Sequence, residues 1–269
     1  MHKLVLIVIA VLSIGSQAHA QKGHEIGGWI GTSLYFGDLN TSINFKNPGI
    51  ALGFLAKYNY NSRVSLRGGL SYANVSADDA DSDNNFQKNR NLSFKSSIWD
   101  MTAGVEFNFF PLIHSSYEHQ YTPYVFGGFN VFRYNPTAEL DGVTYNLGEL
   151  GTEGQEIGGE YFQVSGGLVL GGGFKWAIGN DVYIALEAST RLLFTDYLDD
   201  VSTVYPNLDQ LEVVRGTEAR LLSDRSLVEG IGVEGRQRGD SKGNDRYAFV
   251  GISFMKYFGR LECPKISKI

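Results

Sequence analysis

Residues 94–110 read FKSSIWDMTAGVEFNFF. From Trp99 onward the side chains alternate, with Trp99, Met101, Ala103, Val105, Phe107 and Phe109 on one face and Asp100, Thr102, Glu106 and Asn108 on the other. A two-residue period is the signature of a β-strand with two unlike faces. It recurs near 24–36, 48–60, 63–75, 121–135, 161–178, 181–195 and 246–258, so the chain is expected to form eight strands. In the second, Ile50, Leu52, Phe54, Ala56 and Tyr58 oppose Ala51, Gly53, Lys57 and Asn59. In the seventh, Val182, Ile184, Leu186, Ala188, Leu192 and Phe194 oppose Glu187, Ser189 and Arg191. Abundant Gly, Tyr and Phe (33, 15 and 17) with only 6 Pro suit such strands better than helices.

The connections alternate as well. Those at 37–47, 76–93, 136–160 and 196–245 are long and polar, whereas Asn61-Ser62, 111–120 and 179–181 are short. A soluble sandwich has no reason to gather every long loop at one end, but a bacterial outer-membrane barrel has long extracellular loops and short periplasmic turns. The expected fold is therefore all-β, an eight-stranded antiparallel transmembrane β-barrel. In hydrocarbon every backbone polar group must be paired, and only a closed sheet does that with strands. The apolar faces would meet lipid, with aromatic girdles formed by Tyr58, Tyr60, Phe107 to Phe110, Tyr121, Tyr124, Trp176, Tyr257 and Phe258. Lys57, Arg63, Arg67, Glu106, Lys175, Glu187 and Arg191 would enter the lumen. Eight strands leave room only for side chains, so these charges should pair and close it to diffusion. The alternative is a soluble all-β protein of the same strand count, secreted or periplasmic, with its apolar face turned inward.

The first twenty residues carry His2 and Lys3, an apolar run from Leu4 to Leu12, and Ala18-His19-Ala20. This is the pattern of a secretory signal peptide cleaved after Ala20, leaving 21–269 as the barrel in the outer membrane. The net charge of −6 argues against nucleic-acid binding. Cys263 is the sole cysteine, so no intramolecular disulfide can form.

Chemistry-bearing motifs are few. Gly230-Ile231-Gly232-Val233-Glu234-Gly235 fits the dinucleotide fingerprint, but it sits in the longest polar loop with no strand before it and no helix after it, so no nucleotide is expected. Asp79, Asp81 and Asp83 begin like a calcium loop. The glycine and glutamate such a loop requires are replaced by Asn84 and Arg90, which leaves an acidic, solvated loop as the reading. Arg238-Gly239-Asp240 matches an adhesion tripeptide that arises often by chance. Barrel enzymes that use a histidine base need it at the extracellular face. Beyond the signal peptide the histidines are His24, His114 and His119, all at the periplasmic end, and no catalytic activity, cofactor or resident metal is expected. Asp196, Tyr197, Asp199 and Asp200 follow the seventh strand and read as an extracellular rim, with aspartates capping local N–H groups and Tyr197 packing at the membrane interface.

Three stretches together resemble the PorG-like family of outer-membrane proteins found with the type IX secretion and gliding machinery. They are Glu25 to Gly31 running into Tyr35-Phe36-Gly37-Asp38-Leu39-Asn40, Asn135 to Ala138 continuing through Tyr145-Asn146-Leu147 to Leu150-Gly151-Thr152-Glu153-Gly154-Gln155, and Thr195 to Ser202. The resemblance implies a non-enzymatic eight-stranded barrel that associates with a periplasmic ring of PorK-like lipoprotein and PorN-like partner. The alternative is a general outer-membrane barrel of the OmpA/OmpX type with a stabilising or adhesive role carried by its loops.

Overall fold

The computed structural model describes residues 22–41, 46–112, 120–179 and 181–259. The signal-peptide reading, His114, His119 and Cys263 fall outside these residues. Among the described residues nine strands form: β1 (Gly23–Phe36), β2 (Gly49–Asn59), β3 (Val64–Asp78), β4 (Ser93–Asn108), β5 (Tyr121–Leu140), β6 (Val143–Asn146), β7 (Val164–Ala177), β8 (Val182–Leu193) and β9 (Arg246–Gly259). All pairings are antiparallel, and β1 pairs with β9 as well as with β2, which closes an eight-stranded barrel from β1–β5 and β7–β9. β6 lies outside the closed circuit as a hairpin arm on the end of β5.

The alternation decides which way each strand faces. Ile26 and Ile30 on β1, Leu52 and Phe54 on β2, Leu70 on β3, Met101 on β4, Val131 on β5, Leu170 on β7, Leu186 on β8 and Ile252 on β9 all point outward and are 46–71% exposed. Every strand of the barrel contributes to this belt. Soluble monomers rarely expose contiguous apolar patches beyond about a few hundred Å². The inward-facing alternative is thereby excluded, because the apolar face lines the outside.

At the short-turn end Tyr60, Phe109, Phe110, Tyr121, Trp176 and Phe258 are exposed, and Tyr121 stacks on Phe174 at 5.8 Å. Two residues expected in this girdle face the lumen instead. Tyr124 and Tyr257 are buried, since Tyr124 shares its strand face with Thr122 and Phe126, and Tyr257 shares its face with Met255.

The long-loop end carries structure that polar composition hides. A single 3₁₀ turn (Asp79–Asp81) and four short helices form there: α1 (Asn85–Arg90), α2 (Leu147–Leu150), α3 (Leu208–Arg215) and α4 (Thr217–Ser223). α1 starts where the Asn84 side chain accepts from the Phe86 N–H at 2.8 Å, and it stops at Asn91, which takes the left-handed conformation at φ 60°. The Asn207 side chain caps α3 in the same way, accepting from Gln210 at 3.0 Å. Leu39, Leu92, Phe94, Leu147, Leu198, Val201 and Leu222 pack with the upper lumen residues Tyr35 and Tyr247, so the loops settle over the barrel mouth as a cap with its own apolar core.

Candidate functional site: a charged lumen under a polar cap

Glu106 stands at the centre of the lower lumen. β4 turns it inward, and its carboxylate receives Lys57 from β2 at 2.7 Å, Arg67 from β3 at 3.3 Å, and Lys175 from β7. Arg67 then forks onto Glu187 of β8 at 3.0 and 3.1 Å, where Tyr124 also donates its hydroxyl at 2.7 Å. The Arg67 guanidinium lies 3.6 Å from the centre of the Phe126 ring, a cation–π contact that offsets part of its lost hydration. Gly173 sits opposite both Tyr124 and Glu187 in the ladders, and a Cβ there would lie 2.1 Å from the Leu186 carbonyl and 3.0 Å from the Tyr124 ring. Only glycine leaves space for the phenol beside the β8 backbone.

Above this cluster Arg191 donates to Asp100 at 3.1 Å and to Ser189 at 2.6 Å, while Asn130 donates to Asp100 at 2.9 Å. Below it Glu25 accepts from Asn59 at 2.7 Å and from Tyr183 at 2.5 Å. Between the lower and upper clusters a void of about 30 Å³, lined by Trp29, Phe126, Arg191, Phe249 and Ser253, has room for one or two water molecules.

Six of the seven expected lumen residues thus meet in two clusters. Arg63 does not. It shares the parity of Arg67 but lies one residue outside β3, in the β2–β3 turn, where its side chain is exposed and joins none of the interior ion pairs. Glu25 and Asp100 complete the charge balance. Alternation had marked Asp100 as polar-face, and Glu25 was legible from its parity with Trp29 against Ile26 and Ile30.

The cap is a second polar assembly. Arg90 forks onto Asp79 at 2.7 and 2.8 Å, and its remaining N–H groups reach the carbonyls of Arg238 and Asp38. Asp79 is therefore buried and paired, which corrects the expectation of a solvated acidic loop: Arg90, the residue that breaks the calcium pattern, is its partner. Arg238 is 2% exposed, donating to Glu153 at 3.1 Å and to the Asp200 carbonyl at 2.5 Å, so its tripeptide is not offered as a surface motif. Glu153 accepts in turn from the Ser202 and Thr203 amides at 2.9 and 3.0 Å. Gly230 and Gly235 take φ values of 88° and 78°, as turn glycines.

The expected rim is largely interior. Asp199 caps the Val201 amide at 2.9 Å as anticipated, but it is 1% exposed, and Asp200 is fully buried with Tyr161 donating to it at 2.7 Å and Thr152 close beside it. Asp200 adopts φ 68°, a left-handed turn conformation that aspartate tolerates. Tyr197 is drawn away from any membrane interface and stacks on Tyr161 at 4.5 Å. Asp196 is half-buried, and burial pushes it up to about 7, assisted by Asp38, Glu153 and Asp240. Burial likewise raises Asp38 and Asp200 to about 6, and Arg90 and Arg238 respectively offset this only in part. Among the described residues no group of three or more histidine, cysteine and carboxylate side chains is arranged to hold a metal ion. His24 packs against Tyr58 at 5.1 Å at the short-turn end, remote from the cap.

A family model described as a domain of unknown function, DUF6089, matches residues 2–220. The chain belongs to the DUF6089 family. The match takes in β1 to β8, α1 to α3 and the first four residues of α4, while Arg238, Asp245 and β9 of this DUF6089 chain lie beyond it. No curated protein matches the chain. Among solved structures, it is similar to Ail, the attachment invasion locus protein of Yersinia pestis, in complex with the heparin analogue sucrose octasulfate. The identity is 8% over 88% of this chain and 99% of that one, with a TM-score of 0.43. It is also similar to Neisserial surface protein A, at 12% identity over 88% and 97% with a TM-score of 0.45. For the outer membrane protein OprG from Pseudomonas aeruginosa the values are 9%, 90%, 99% and 0.45.

Proposed function

We propose that this chain is a non-enzymatic outer-membrane β-barrel, closed to diffusion, that holds a folded cap of loops at the cell surface for a stabilising or adhesive role. One observation carries the reading: the barrel is inside out, with bulky apolar side chains exposed on all eight strands and charged ones sealed within. Water would penalise that distribution, and a bilayer rewards it. Its first partner is therefore outer-membrane lipid. The acidic chain and the arginines already committed inside the cap do not favour nucleic acid or nucleotide. On this reading the segment 1–20 is a signal peptide removed after Ala20, and 21–269 is the barrel. The test is fractionation of native cells with gel migration at two temperatures. Recovery with the outer membrane, and a band that shifts on boiling, support the reading; recovery in the soluble fraction overturns it.

A narrower role has its own support. The three stretches that resemble the PorG-like family lie far apart in sequence, yet their residues meet: Tyr35 with Asp199, and Thr152 with Asp200. The cap ends of the three stretches therefore form one assembled unit, which supports a component of the type IX secretion system bound to a PorK/PorN-like periplasmic ring. Co-purification of the ring proteins from solubilised membranes supports that role, and intact secretion in a deletion strain counts against it.

A further inference from the structure

The Tyr35 hydroxyl lies 2.5 Å from Asp199 Oδ2 and 3.0 Å from Asp245 Oδ1. A phenol carries one hydrogen and can donate to only one of two carboxylates. The second contact is a hydrogen bond only if the other carboxyl itself carries a proton and donates it to the phenol oxygen. All three side chains are essentially excluded from solvent, at 2%, 1% and 0% exposure.

The nearest cation, Arg90, makes no hydrogen bond or ion pair to either carboxyl, and it pulls Asp199 down less than burial and Asp38 push it up. Arg90 directs four hydrogen bonds to Asp79 and two carbonyls, and Arg238 directs four to Glu153, Asp200 and Ser223. The other titratable groups facing the pair are Asp38 from the β1–β2 loop, Asp196 and Asp200 from the β8–β9 loop, and Tyr134 from β5, and every acid among them adds negative charge. Each carboxylate also ties down a backbone amide, Val201 by Asp199 and Leu198 by Asp245.

We propose that the cap is latched by a proton shared within Asp199, Tyr35 and Asp245, so that the β8–β9 loop is held in acid and loosens as the medium turns alkaline. Burial pushes both carboxyls well above the ordinary aspartate range, and their mutual repulsion adds to it. A raised folded-state pKa stabilises fully below the unfolded value, near 4, and that stability is lost as pH climbs to the folded value. While the latch keeps a proton that the open loop releases, the opening constant rises about tenfold per pH unit. Asp196, Asp38 and Asp200 steepen the slope in the same direction.

Both carboxyls of the latch lie beyond the strand ends and meet Tyr35 at the penultimate residue of β1, so the latch does not depend on the membrane reading. The test is hydrogen exchange of 196–205 by mass spectrometry, corrected for intrinsic chemical rates, from pH 5 to 8, on the full chain refolded in micelles. Retained heat-modifiable migration shows that the barrel itself is intact. Protection of this segment is expected to fall by at least about tenfold per pH unit. In Asp245→Asn, whose amide can donate to Tyr35 at any pH, that slope should drop by one tenfold step per unit. An unchanged slope in the variant overturns the proposal, as does pH-independent protection in the native chain. Protection at pH 7 that collapses with EDTA also overturns it, by putting a cation where the proton is placed. If Asp245→Asn does not fold, infrared spectra of the native chain still decide. A protonated-carboxyl C=O band that persists at pH 7 is expected, and its absence refutes the latch.

Discussion

Replacing Glu106 by Gln keeps the shape and one acceptor of the central lumen side chain but removes its charge. Arg67 retains Glu187, so the loss falls on Lys57 and Lys175, which have no other carboxylate within 4.0 Å among the described residues. Lys175 keeps Asn108 at 2.9 Å and the Tyr124 ring at 4.5 Å, and Lys57 keeps only tyrosine rings beyond 5 Å. Removing one partner of a buried pair costs about 3–5 kcal/mol. There is also a ceiling, because a stranded ammonium can release its proton. From an ordinary lysine pKa near 10.4 that costs about 4.6 kcal/mol at pH 7 and about 1.9 kcal/mol at pH 9. The expected loss is thus about 3–5 kcal/mol for one lysine and below about 9 for both, and it shrinks as pH rises. Guanidinium unfolding of the refolded protein, followed by tryptophan fluorescence at pH 7 and pH 9, measures it. Adding Lys175→Met should recover part of the loss, since one stranded charge goes with it. A Glu106→Gln protein within about 1 kcal/mol of native at pH 7, or a double variant weaker than the single, would refute a lumen held by these pairs.

Other consequences follow from the same geometry. Phe54→Arg, in the middle of β2 on the outer wall, should cost about 2–4 kcal/mol when unfolding is measured from a bilayer, and much less in a short-chain micelle that can deform around it. Arg90→Met strands the buried Asp79 carboxylate; exchange at 79–92 should rise at least tenfold while the strands stay protected, as hydrogen-exchange mass spectrometry would show. Planar-bilayer recordings should show no steady open conductance, because the paired side chains fill the lumen above and below a void of about 30 Å³.

The barrel was legible because alternation is local: each of the eight long strands announces its two faces in its own residues, and the observed ends fall within a few residues of the expected ones. β5 is the largest exception. Its expected end was 135, yet the strand runs through Pro136 to Leu140, since proline removes only one donor and β4 pairs with the strand through Thr137. Parity also assigned Tyr124 and Tyr257 to the lumen; proximity to strand ends suggested the girdle, and parity prevails because a one-residue slip inverts a face. The cap was illegible for a different reason. Its contacts join residues such as Tyr35 and Asp199, 164 apart in sequence, and no period or spacing encodes a pairing between loops. Polar composition marked these segments as solvated, whereas each buried carboxylate there has its own arginine, hydroxyl or amide.

Which side of the wall meets lipid is reported directly by the three tryptophans. Trp99 and Trp176 are 54% and 46% exposed on the outside, while Trp29 points inward and donates to Ser71 at 3.2 Å. Three single-tryptophan proteins, reconstituted in vesicles of brominated lipid, give the decisive comparison. Strong quenching of Trp99 and Trp176 with little effect on Trp29 is the expected result; quenching of Trp29 alone, or of none of the three, would contradict a lipid-facing outer wall.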